Sequence, residues 1–173
     1  MQADIAGAVR AVEVAKAFHW TWKDEDVARF CDAAGWHVRE QRTHGATLVT
    51  DLRLAEPIAF VEADRSFLQQ HGGSKESVLS IQLMFTDVGP FRIGLPRELL
   101  GQVNEQLTAA IGAPTWSDED GRAAWYLRRL VVRTEPGDEW LQIEFINPRY
   151  QKWREESDSS FADYGDDEFD DGE

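Results

Sequence analysis

The chain has 173 residues and a formal charge of −14, with 18 Lys and Arg against 32 Asp and Glu. That length suits one domain with one hydrophobic core, and the acidic balance disfavours nucleic-acid binding, which needs a net basic footprint. Apolar runs such as Pro57-Ile58-Ala59-Phe60-Val61 fall far short of the roughly 20 residues of a membrane span, so no membrane partner is expected.

The charge is unevenly spread. Every Lys and Arg lies at or before Arg154, where the balance is only −4, while residues 155–173 carry ten Asp and Glu and no basic residue. A self-repelling run of this kind cannot bury enough apolar surface to offset ordering entropy. The organisation expected is a globular domain over residues 1–154 and a disordered acidic tail over 155–173. Met1-Gln2-Ala3-Asp4 lacks the basic start and apolar stretch of a signal peptide, and the one cysteine, Cys31, forms no internal disulfide. Both point to a cytoplasmic protein.

In chain order, Ile5, Val9 and Val12 predict a first helix. Asp24 as N-cap, the stripe Val27, Phe30, Cys31 and Ala34, and the stop at Gly35 predict a second. Trp36–Thr43 and Ala46–Arg53 flank His44-Gly45 as a hairpin, and Ile58–Ala63 forms a further strand. Residues 64–76 read as a loop. Leu79, Ile81, Leu83 and Phe85 alternate as a strand with one buried face. Pro96 opens a helix carrying Leu100, Val103, Leu107 and Ile111, which Gly112 ends. Trp125–Arg133 and Trp140–Ile146 flank Glu135-Pro136-Gly137-Asp138 as a second hairpin, followed by a short helix with Tyr150 and Trp153. The fold class is therefore α+β, a mostly antiparallel sheet with helices packed on one face. A Gly-terminated helix followed by a hairpin occurs twice, a hint of duplication.

The residues supply little catalytic chemistry. No nucleophile elbow is present, and Cys31 sits on an apolar helix stripe, where a small buried hydrophobe is the simpler reading. His19, His37, His44 and His71 are scattered without metal-ligand spacing. Gly72-Gly73-Ser74-Lys75 lacks the glycine spacing and following helix of a phosphate-binding loop. Asp118 and Asp120 do not fit a calcium loop, whose register would place Trp116 first and Leu127 last. No catalytic residue, cofactor or metal is assigned.

Two features suit binding instead. Seven Trp residues are present, and Trp and Arg are enriched at binding hot spots. Most of the seven serve packing, but Trp140 is out of phase with Leu141, Ile143 and Phe145 and should face away from the core. Arg128, Arg129 and Arg133 cluster on one expected strand, either as a solvated face or as an anion site. The partner-binding candidates are Trp20, Trp22, Trp116, Trp140, Arg128 and Arg133, and the acidic balance favours a basic protein partner.

Phe18-His19-Trp20-Thr21-Trp22, Ala34-Gly35-Trp36 and Ile111-Gly112-Ala113-Pro114-Thr115, with Trp125 beyond, make the chain resemble small acidic actinobacterial proteins. Some of those look like immunity partners of polymorphic secreted toxins. The resemblance covers roughly residues 14–146 and implies a cytoplasmic inhibitor that occludes a toxin's active site and has no activity of its own. A chaperone or adaptor for a secreted or basic protein is the alternative binding expectation, and an enzyme of unknown reaction the third.

Overall fold

The alternating apolar residues of Leu79–Phe85 and Leu141–Phe145 lie side by side at the centre of an eight-stranded sheet, in a computed structural model that describes residues 2–162. Helices α1 (Ile5–Ala17) and α2 (Glu25–Ala34) lead into strands β1 (His37–Arg42), β2 (Gly45–Val49) and β3 (Ile58–Ala63). Helix α3 (Arg65–Gln70), β4 (Val78–Met84) and α4 (Leu95–Ile111) follow. Strands β5 (Trp116–Ser117), β6 (Ala123–Leu127), β7 (Leu130–Pro136) and β8 (Leu141–Ile146) then precede α5 (Pro148–Ala162).

The strand order is β1-β2-β3-β4-β8-β7-β6-β5, and every pairing is antiparallel. Two four-stranded meanders thus meet at the β4–β8 seam, where Ile81 pairs with Phe145 and Leu83 with Ile143. Each is preceded by a helix that ends at a left-handed or positive-φ glycine, Gly35 after α2 and Gly112 after α4.

One sheet face is apolar because strand alternation points Leu48, Ala59, Val61, Ile81, Leu83, Trp125, Leu130, Val132, Ile143 and Phe145 the same way. These residues share one core with Val12 of α1, Phe30 of α2 and Leu100, Val103 and Leu107 of α4. Phe30 is fully buried and lies 5.0–5.8 Å, ring centre to ring centre, from Phe18, Trp20, Trp36 and Phe145. The tilted and edge-to-face geometries suit the ring quadrupoles, which adds to the area term. Helix α5 lies across the opposite face, where its Arg154 reaches Glu144, a neighbour of inward-facing Ile143 and Phe145.

Several local expectations need correction. The expected strand Trp125–Arg133 is a tight hairpin: Leu127 pairs with Leu130 and the chain turns at Arg128-Arg129. Neither turn residue has positive φ, so the turn lacks the Gly, Asn or Asp by which tight hairpins are usually recognised. Residues 64–76 contain a helix, α3, started by the Asp64 carboxylate accepting the Phe67 amide at 2.9 Å. Asp24 makes no side-chain cap for α2, because its carboxylate takes the Ser77 hydroxyl instead. The first hairpin turns at Thr43-His44, one residue earlier than expected. Gly45 is needed for a different reason: at φ 152° a β-carbon there would collide with the Val61 carbonyl oxygen. The last helix is long, so residues 155–162 of the expected tail are helical; residues 163–173 lie outside the described residues.

Replacing Phe30 with Ala should lower stability by about 3–5 kcal/mol, the usual cost of emptying a large aromatic site. Urea unfolding of the purified chain checks this.

Candidate functional site

The six residues marked for partner binding separate into two groups of three. Trp116 and Arg133 line a pocket of about 430 Å³ with Tyr126, Gln151, Glu155 and Asp158, and a hydrogen-bond chain joins Arg133 to Trp140. Trp20, Trp22 and Arg128 line a second pocket at another end of the sheet.

The first pocket arises from the edge of the second meander. In β6, Ala123 and Trp125 point into the core, so Ala124 and Tyr126 face the side that carries α5. Strand β5 is only two residues long, which leaves Trp116 44% and Tyr126 41% exposed. The Tyr126 hydroxyl donates to Glu155, and Gln151 Nε2 donates to Glu155 at 3.0 Å. Burial and the Glu155 hydrogen bond raise the Tyr126 pKa above the usual phenol value, so the hydroxyl stays protonated. The Gln151 side chain is buried and its Oε1 has no hydrogen-bond partner among the described residues.

Beneath this pocket a polar network crosses the sheet. Trp140 Nε1 donates to Gln142 Oε1 at 2.9 Å, Gln142 Nε2 donates to Glu135 Oε1 at 3.2 Å, and Arg133 pairs with Glu135 at 3.3 Å. Trp140 therefore faces away from the core, out of phase with Leu141, Ile143 and Phe145 of β8. Glu144 is 3% exposed and pairs with Arg154 at 3.1 Å. Burial, reinforced by the Glu135 charge, nevertheless raises the Glu144 pKa above the ordinary glutamate value.

The second pocket, about 260 Å³, lies between the Thr21-Trp22 loop, the Arg128-Arg129 turn and the start of α5. Trp20 and Trp22 are each 3% exposed and stack at 4.5 Å, so they are core residues that show only an edge to the pocket. Trp22 has φ 60°, the left-handed region that bulky residues avoid. The buried Asp26 carboxylate holds it there by accepting the Trp22 amide at 2.7 Å, the Thr21 amide at 2.6 Å and the Thr21 hydroxyl at 2.9 Å. Trp22 Nε1 donates to the Arg129 carbonyl at 2.9 Å.

Sequence reasoning missed Tyr126, Gln151, Glu155, Asp158, Asp26 and Arg149 as site residues, and named Arg129 only within the arginine cluster, as a solvated face or an anion site. Strand alternation from Trp125 would have turned Tyr126 outward. Glu155 and Asp158 were absorbed into the acidic tail because charge density masked a continuing helix. Asp26 carried no signal beyond its place in a helix start.

The remaining candidates for chemistry are dispersed. Burial pushes the Cys31 thiol up to about 11, with Asp32 adding to it, so the thiol stays protonated at neutral pH. His19 meets Arg129, His71 stacks on Phe67 at 4.2 Å, and His37 and His44 are exposed. Among the described residues, no three His, Cys, Asp or Glu side chains gather to hold a metal ion, and no helix is long and apolar enough to cross a membrane.

These features define an α+β domain with one surface pocket at the free edge of the second meander and another between the Thr21-Trp22 loop, the Arg128-Arg129 turn and the start of α5. The chain belongs to DUF6301, a family of unknown function whose sequence model matches residues 6–146. No curated protein and no solved structure matches it.

The raised Glu144 pKa gives a pH signature. Between the ordinary glutamate value of 4.5 and the raised native one, the folded state binds more protons than the unfolded state, so this group's contribution to stability falls as pH rises. The stability of the parent relative to Glu144→Gln should accordingly decline as pH is raised from 4.5. Urea midpoints of both proteins across that window check it; a constant difference would contradict it.

Proposed function

We propose that this chain is a non-enzymatic, protein-binding protein of the immunity or antitoxin type, which acts in the cytoplasm and neutralises a basic toxin enzyme by covering its active site. The observation that carries the reading is the exposed pair Trp116 and Tyr126 beside the carboxylates of Glu155 and Asp158. Two large aromatic surfaces at an open sheet edge supply contact area at low side-chain entropy cost, and Trp and Tyr are the commonest hot-spot residues alongside Arg. The adjacent carboxylates suit lysine or arginine side chains, whose cations are also attracted to aromatic faces. The many acidic residues that follow in sequence would add long-range attraction for a basic partner and speed encounter.

The resemblance to immunity partners of polymorphic toxins gives this reading its biological form. The chaperone or adaptor reading draws on a different observation, the ten Asp and Glu packed into residues 155–173, and makes the acidic segment the main source of affinity.

Co-expression with a toxin-like product of a neighbouring gene tests the proposal. The chain should rescue growth and co-purify with that product, whereas Trp116→Ala/Tyr126→Ala should weaken the complex by about 100-fold, as expected for two hot-spot residues at about 1–2 kcal/mol each. Truncation after Ala162 keeps the described end of α5 and should reduce affinity far less. A complex unaffected by the double substitution but abolished by the truncation would favour the chaperone reading, and no rescue with any adjacent toxin-like product would count against the proposal.

A further inference from the structure

The pocket beside the Trp20–Trp22 stack has a charge opposite to that of the chain. Its lining contains Arg128, Arg129 and Arg149 against one carboxylate, Glu76. Glu76 is already engaged: Arg149 Nε donates to its Oε2 at 2.8 Å, while Arg149 Nη1 donates to the His71 carbonyl at 3.2 Å. Arg129 Nη1 lies 2.7 Å from the His19 ring Nε2, so its close neighbour is an imidazole rather than a carboxylate. Arg128 has neither a hydrogen bond nor an ion pair among the described residues. Arg133, which sequence reasoning grouped with these, is on β7 and paired with Glu135, so it does not contribute.

The pocket is also held in shape. The turn bearing Arg128 and Arg129 is tied to the loop by the Trp22 indole, and the loop is fixed by Asp26. On the far side, Asn147 is 1% exposed, donates from Nδ2 to the Val78 carbonyl at 3.2 Å and accepts the Arg149 amide at 3.0 Å. Guanidinium groups brought to one pocket repel each other, and the planar guanidinium fork matches the geometry of carboxylate and phosphate oxygens. An oxyanion placed between them converts that repulsion into charge-assisted hydrogen bonds.

We propose that this pocket is a binding site for an oxyanion, a phosphate or carboxylate group borne by a small ligand, with Arg128 and Arg129 as its principal donors and Arg149 as a third, orienting wall. The site is separate from the Trp116–Tyr126 edge and does not depend on that edge's role. A basic protein would be repelled from it, whereas the carboxylates beside the Trp116–Tyr126 edge would attract one.

Titrating the isotope-labelled full chain with inorganic phosphate and, in parallel, with acetate, each at constant ionic strength, tests the proposal by nuclear magnetic resonance. The Trp22 indole N–H and the Thr21 and Trp22 amides should shift saturably, with an apparent Kd of about 1 mM or tighter for one of the two anions, an affinity within reach of a few charge-assisted hydrogen bonds. Saturation by phosphate alone assigns a phosphate-bearing ligand, and saturation by acetate alone a carboxylate-bearing one; saturation by both supports the site with the tighter anion marking the ligand. Arg128→Ala/Arg129→Ala, at an exposed turn where folding should be unaffected, should weaken the binding by about tenfold or more, while Arg128→Lys/Arg129→Lys retains part of it because lysine keeps the charge but loses the fork. Linear, unsaturable shifts with both anions, or unchanged affinity in the alanine variant, would overturn the proposal.

Discussion

The buried carboxylate of Asp26 joins parts of the chain that sequence separates widely. It is 1% exposed and accepts from two backbone amides and a hydroxyl in the Thr21-Trp22 loop, with Arg29 at 3.3 Å as its counter-charge. Burying a charge is tolerable only when it is hydrogen-bonded and paired in this way. The arrangement holds Trp22 in a left-handed conformation that costs about 1–3 kcal/mol. From that conformation the Trp22 carbonyl accepts the Ser77 and Val78 amides at the start of β4, and its indole reaches the β6–β7 turn. Helix α2, the last strand of the first meander and the β6–β7 hairpin of the second are therefore fixed at one point, and the arginine-lined pocket takes its shape from it.

The two faces of the sheet are covered differently. Its apolar face is covered by α1, α2 and α4, whereas the opposite face carries α5 above a polar network of Trp140, Gln142, Glu135 and Arg133. At one edge, β1 is exposed along its whole length and carries His37, Arg39, Glu40 and Arg42. Charged side chains on an edge strand discourage pairing with another chain. At the other edge, β5 is short and the exposed large apolar residues are Trp116 and Tyr126. The two edges thus differ in chemistry: one repels strand addition, while the other presents aromatic surface beside carboxylates.

Elements with strong periodicity were legible in the sequence. The stripe Leu100, Val103, Leu107 and Ile111 with Pro96 and Gly112 located α4 within a residue or two, and the alternation from Leu79 located β4. The hairpin at Arg128-Arg129 was not legible, because a tight turn built from negative-φ residues leaves no Gly or Asn behind. Helix α3 was hidden for a related reason: with Leu68 as its one buried residue it has no repeating stripe, and Asp64 alone marks its start. The same missed turn scattered the arginines, since Arg128 and Arg133 belong to different surfaces once the chain reverses. Among the tryptophans, composition could not separate the stacked, buried Trp20 and Trp22 from the exposed Trp116, because that distinction depends on the length of β5 and on what the sheet face packs against.

Amide hydrogen exchange of the chain, alone and mixed with a toxin-like product of a neighbouring gene, is the sharpest test of the proposed role of the Trp116–Tyr126 edge. Added protection is expected in residues 115–117 and 123–127 and in the part of α5 bearing Gln151, Glu155 and Asp158, with β1 unchanged. Protection confined to β1 or to the helices α1 and α4, with the Trp116–Tyr126 edge exchanging as in the free chain, would contradict it.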